Sequence, residues 1–182
     1  MTEINPTPTL RERQASLKQG YRDDPASAQL TTVVRSVTGS GQDPRRVKIA
    51  VDGPAGTVLE VGAHPAVGGD DDLPCSGDIF LASLAACQEI TIRLVAAAMG
   101  LELRRLDLRV EGTWDVRGTL AVDREVPVGY SSIRIIAAID TDAPQDQIDR
   151  LLKSAERYCV VSATLHTPPT LEFLPTTSRS AE

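Results

Sequence analysis

The chain has 182 residues, of which 41% are hydrophobic but only 3% aromatic, so Val, Ile, Leu and Ala must build its core. That length suits one domain, or one domain with a short appendage. Nineteen Lys and Arg against 25 Asp and Glu give a net charge of −6, which argues against a non-specific binder of nucleic acid or anionic membrane. The scarcity of aromatics argues equally against a base-stacking platform.

Residues 1–8 hold Pro6 and Pro8 but no apolar run, and are expected to be a disordered tail rather than a signal peptide. Thr9 and Glu12 then form the S/T-x-x-E signature of a helix start, with Leu10 and Leu17 seven apart. The stripe is thin, so this helix is expected on the surface or reaching over a partner subunit. Asp23, Asp24 and Pro25 end it. From Leu30 to Ala63 the pattern turns to strand. Val33, Val34 and Val37 lie in one β-branched run; Val47, Ile49 and Val51 alternate with Lys48 and Ala50; Thr57 to Val61 follows Gly53-Pro54-Ala55-Gly56. Three short antiparallel strands are predicted. The loop from His64 to Gly77 carries Asp70, Asp71 and Asp72 without EF-hand spacing, so these acids read as a solvated cluster, not a metal site.

Asp78 to Met99 is apolar almost all round, which predicts burial in a core or between subunits. Gln88, Glu89 and Arg93 near its middle favour a soluble helix over a membrane span. Gly100 stops it. Leu106, Leu108, Val110, Trp114 and Val116 then alternate with polar residues, and Ile133, Ile135, Ala137 and Ile139 repeat the pattern after a connection with Gly118, Pro127 and Gly129. Both segments are predicted strands. A helix is expected from Asp142 or Pro144, with Gln145 as capping partner of Asp142. Its apolar face is Ile148, Leu151, Leu152, Ala155 and Cys159. Pro168 and Pro169 break the chain, and Leu171 to Leu174 is predicted to form a last short strand. The order of elements predicts an α+β domain over 30–175, preceded by a tail and surface helix over 1–29 and followed by a disordered tail over 176–182.

The chain holds no P-loop, G-x-G-x-x-G, H-E-x-x-H, C-x-x-C or G-x-S-x-G, and no cofactor is expected. Its histidines, His64 and His166, both stand beside prolines or turn residues. Three widely spaced cysteines are not a secreted disulfide framework, so a cytoplasmic protein with reduced thiols is expected. Cys87 and Cys159 both fall on apolar helix faces. Residue type alone leaves two readings, small apolar fillers or a reactive pair.

The local sequences bear on that choice. Gly77-Asp78-Ile79-Phe80-Leu81-Ala82-Ser83-Leu84-Ala85-Ala86-Cys87 resembles the start of the central helix of the OsmC/Ohr family, and Tyr158-Cys159-Val160-Val161-Ser162 resembles that family's Cys-Pro-Val-Ser motif. The order of elements over roughly Leu30 to Phe173 agrees, with the N-terminal helix as a subgroup extension. The resemblance implies a thiol-dependent peroxidase acting on organic hydroperoxides, built as an intertwined homodimer and recycled by a dithiol such as dihydrolipoamide. It implies Cys87 as the peroxidatic thiol and Cys159 as the resolving one. Asp78 stands nine residues before Cys87, where many members carry Glu, and Val160 stands where the motif has proline.

An arginine normally completes such a site, and the candidates are Arg45, Arg46 and Arg35. The physical demand is clear: peroxide cleavage needs a thiolate, and Cys87 lies too far along its own helix to gain from the helix start. A cation held by Asp78 would answer that demand. Cys75 is a further thiol that reads as a loop cysteine. Two other functions are weighed: a redox sensor or small-ligand binding protein of the same fold without peroxidase activity, and a cysteine hydrolase using His64 or His166. The hydrolase lacks its local signatures.

Overall fold

The computed structural model describes residues 9–39 and 43–165. The predicted terminal tails, the strand at Leu171–Leu174 and His166 lie outside the described residues. The described residues divide into two compact units, one formed by those up to Phe80 with Gly112–Ile133, the other by Leu81–Glu111 with those from Arg134 onward.

In the first unit, helix α1 (Leu10–Asp23) starts as the sequence predicts. Thr9 Oγ1 accepts from the Glu12 N–H at 3.3 Å, and the Glu12 carboxylate accepts from the Thr9 N–H at 2.7 Å. This reciprocal pair satisfies two donors that the helix cannot, and draws the Glu12 carboxyl below its ordinary value. None of its residues is buried. A 3₁₀ turn at Pro25–Ala28 follows. Strands β1 (Val34–Ser36), β2 (Arg46–Val51) and β3 (Val58–Gly62) then form an antiparallel sheet in the order β1-β2-β3. Its register sets Val34 opposite Val51 and Val47 opposite Val61. A second 3₁₀ turn, Pro65–Val67, is capped by His64, whose Nδ1 accepts from the Ala66 N–H at 3.0 Å. That makes His64 the turn residue the sequence suggests, and its ring meets Trp114 edge-on at 5.6 Å.

Helix α2 (Ser76–Met99) begins two residues earlier than predicted. Strands β4 (Arg105–Trp114) and β5 (Tyr130–Asp140) form a two-stranded sheet. The Arg104 N–H reaches Asp140 O at one end and Ser131 Oγ reaches Thr113 O at the other, so the strands run antiparallel. Between them a single helical turn, α3 (Val116–Thr119), is capped by Asp115. Val116 therefore ends up in a helix rather than on the face of β4, because the Asp115 carboxylate accepts from the Arg117 N–H and turns the chain. Helix α4 (Gln145–Tyr158) and the short α5 (Val160–Thr164) end the described chain.

The core of the second unit brings together Ile92 and Ala96 of α2, Leu106 of β4, and Leu151 and Ala155 of α4, with Ala137 and Ile139 of β5 against them. Two expectations meet the structure there. First, within this chain α2 is covered on one stripe: Leu84, Gln88, Thr91, Ile92 and Ala96 are buried, whereas Ile90 is 57% exposed. The helix is long and apolar enough to cross a membrane, but Ile92 and Ala96 are part of a protein core and Glu89 pairs with Arg93 at 2.7 Å. Second, α4 has Pro144 as its N-cap with no side-chain capping bond, so the predicted Asp142–Gln145 box is absent. The Asp142 carboxylate pairs instead with Arg104, and Gln145 Nε2 donates to Asp149 at 2.8 Å. Leu152, expected on the buried face, is 37% exposed, while Leu151, Ala155 and Cys159 are fully buried.

Candidate functional site

Cys87 lies midway along α2, and Cys159 lies at the junction of α4 and α5, closing the first and capping the second. Each of these two thiols is among the groups that shift the other, and both are free. Cys159 is fully buried and Cys87 half-buried. The backbone explains the junction. Cys159 adopts φ −74° and ψ 105°, an extended step that ends α4 and lets α5 start in a new direction. Its N–H still donates to Ala155 O at 3.1 Å, and its carbonyl accepts from Ala163 N–H at 2.9 Å.

The surroundings make the two thiols unequal. Burial pushes the Cys87 thiol up, but the N–H of Val161, the Cys159 thiol and the N–H of Val160 outweigh it. The result is a thiol more acidic than an ordinary cysteine. The Thr91 hydroxyl spends its one proton on the Cys87 carbonyl, to which Oγ1 donates at 2.7 Å. For Cys159 burial again pushes upward; the Ser162 N–H opposes it, while the neighbouring Cys87 adds to it. Cys159 is therefore held protonated above its ordinary value. Such a pair has a nucleophile and a proton-bearing neighbour. Gln88, the next residue of α2, is 93% buried with its Oε1 unpartnered among the described residues.

The arginines are engaged by carboxylates of the first unit. Arg45 pairs with Asp43 at 2.6 Å and Asp70 at 2.7 Å, and Arg46 with Asp72 at 2.7 Å and Asp70 at 3.1 Å. The Arg45 side chain and N–H together hold the Asp43 carboxyl down at about 2. Arg35, within β1, pairs with Asp52 at 2.8 Å. Asp70 and Asp72, read from sequence as solvated acids, thus serve as arginine partners, and no cluster suited to a metal ion occurs among the described residues. Asp78 takes a structural position: its Oδ2 accepts from the Cys75 N–H at 2.9 Å, and its own N–H donates to Cys75 Sγ at 3.4 Å. Cys75 is therefore the cap of α2 rather than a loop cysteine. Gly77 leaves room for Tyr130, since a Cβ there would lie 2.6 Å from the Tyr130 hydroxyl, and Phe80 stacks on the Tyr130 ring at 5.8 Å.

The groups acting on Cys87 that sequence reasoning missed are backbone N–H groups, which no side chain advertises. The one available signal was negative: residue 160 is not a proline and so keeps its N–H.

Residues 69–173 match a family model described as OsmC-like protein. Among solved structures, an OsmC-like protein from Mycoplasma pneumoniae is 16% identical, with a TM-score of 0.61 over 76% of this chain and 89% of that one. An organic hydroperoxide resistance protein OsmC from Legionella pneumophila is 20% identical, with a TM-score of 0.56 over 76% and 90%. One from Elizabethkingia anophelis, also titled an organic hydroperoxide resistance protein, is 18% identical, with a TM-score of 0.54 over 76% and 91%. No curated protein matches the chain.

Proposed function

Because the chain belongs to the OsmC-like protein family, we propose that it is a thiol-dependent peroxidase reducing organic hydroperoxides to alcohols. The observation that carries this reading is the unequal thiol pair, Cys87 below and Cys159 above the ordinary cysteine value. Two of the structural neighbours bear the hydroperoxide resistance name, which supports the choice of oxidant.

The Cys87 thiolate attacks the distal oxygen of R–O–OH. The O–O bond breaks, the sulfur is oxidised to a sulfenic acid, and RO⁻ takes up a proton and leaves as alcohol. The Cys159 thiol then attacks the sulfenic sulfur, forming a Cys87–Cys159 disulfide and releasing water. A dithiol of the dihydrolipoamide type reopens that disulfide and is itself oxidised to a disulfide. Arg45, Arg46 or Arg35 would meet the charge that develops on the leaving oxygen. The working form is a homodimer, which would cover the apolar side of α2 that this chain leaves open; the mass in solution checks it.

The direct test is peptide mapping after one equivalent of an organic hydroperoxide. A Cys87–Cys159 link within one chain is expected, and Cys159→Ser should leave a sulfenic acid on Cys87. A Cys75–Cys87 link would overturn the assignment of the resolving residue. Thiols that stay reduced under the hydroperoxide would instead favour a binding or sensing role for this fold.

A further inference from the structure

We propose that the first unit carries a binding groove, built around His64 and Trp114, for a small neutral ring compound bearing a carbonyl acceptor. The groove takes up about 550 Å³, within the range of small-molecule sites. All of its lining residues belong to that one unit, and neither Cys87 nor Cys159 is among them.

Three segments meet there, and each is fixed before any ligand arrives. His64 caps the 3₁₀ turn at Pro65–Val67, its Nδ1 accepting from the Ala66 N–H at 3.0 Å. Ser131, at the start of β5, ties itself to the end of β4 by donating to the Thr113 carbonyl at 3.0 Å. Asp115 accepts from the Arg117 N–H at 3.0 Å and meets the Arg117 guanidinium at 2.6 Å. Trp114 is half-buried, and its ring meets that of His64 edge-on with 5.6 Å between centroids. A lining held in this way loses little freedom when a ligand binds.

The unspent hydrogen-bonding groups decide what the groove takes. Because His64 Nδ1 accepts, the proton of the neutral ring sits on Nε2. That Nε2–H and the Trp114 indole N–H are both donors, and neither has a hydrogen-bond partner among the described residues. Ala66 and Val116 add apolar wall. A ligand that satisfies this lining brings an acceptor oxygen on a flat apolar body. An ammonium compound would set donor against donor, and a carboxylate would face the Asp115 charge. The neutral carbonyl meets neither obstacle.

Trp114 is the sole tryptophan, so a single indole N–H resonance reports on the groove. Benzamide is the probe. Titrated into the full-length protein, it should shift that resonance saturably, with benzoate and benzylammonium each bound at least about fivefold more weakly, the worth of one hydrogen bond. His64→Asn keeps a capping acceptor for the Ala66 N–H but puts no donor in the place of Nε2. It should weaken benzamide binding by about the same factor. An indole resonance that stays still in the parent, or that moves alike with benzylammonium, would overturn the proposal without recourse to any variant. Equal benzamide affinity in the parent and in a His64→Asn protein with parental circular dichroism would overturn it too. Neither thiol enters the measurement, so its outcome is separate from that of the peroxide test.

Discussion

Cys75 and Asp78 cap each other at the start of α2, the Asp78 Oδ2 accepting from the Cys75 N–H at 2.9 Å and Cys75 Sγ accepting from the Asp78 N–H at 3.4 Å. A thiol here occupies the place that Ser or Thr takes in an ordinary capping box. Asp78→Ala should cost about 1 kcal/mol in urea unfolding, the usual loss for a helix cap. Asp78→Asn keeps an acceptor for the Cys75 N–H while losing the charge, and should retain most of that stability. If Asp78 also steers an arginine toward the reacting sulfur, Asp78→Asn will slow peroxide reduction with stability nearly intact. Parental rates for Asp78→Asn would leave the residue with capping alone.

The two thiols should separate in a pH profile. Cys87 ionises below an ordinary cysteine and reacts only as thiolate. Its alkylation is therefore slow in acid, rises as pH climbs through its own midpoint, and levels off before a free cysteine does. Cys159 is shifted the other way and should level off later than a free cysteine. Coincident profiles would remove the division into nucleophile and resolving partner.

The arginines give a third test, in which rate and ionisation are read separately. Each candidate is ion-paired with carboxylates of its own unit, whereas backbone N–H groups already favour the Cys87 thiolate. Removing the arginine that meets the leaving oxygen should slow peroxide reduction by about 10²-fold, the scale of losing one transition-state charge donor, while the Cys87 midpoint stays in place. Lysine should rescue poorly, since it cannot present a planar fork. Parental rates in Arg35→Ala, Arg45→Ala and Arg46→Ala would show that none of the three acts on the reaction.

How far the sequence revealed this depends on the range of each interaction. The start of α1 was legible because Thr9 and Glu12 are three residues apart and satisfy each other. The strands were legible because alternation survives without knowledge of the partner. The start of α4 was misread because the Asp142 carboxylate goes to Arg104, a residue distant in sequence. Asp70 and Asp72 likewise meet Arg45 and Arg46 across 24 to 26 residues. The two local motifs single out Cys87 and Cys159, which the structure sets to act on one another. The backbone groups that draw Cys87 down were not legible, because an N–H belongs to every residue but proline and leaves no trace in side-chain chemistry.

Strand β1 lies at one end of the order β1-β2-β3, so one of its sides has no strand partner among the described residues. Val33, Val34 and Val37 are all more than 40% exposed along it, and in the run Val33–Val37 the single charge is Arg35. An apolar strand edge is a template for another chain, and a charge there is what commonly blocks it. Arg35→Ala would therefore strip this edge of its gatekeeper. It should promote sheet-to-sheet association between molecules, so a loss of activity in that variant must be read alongside its light scattering before it is assigned to chemistry.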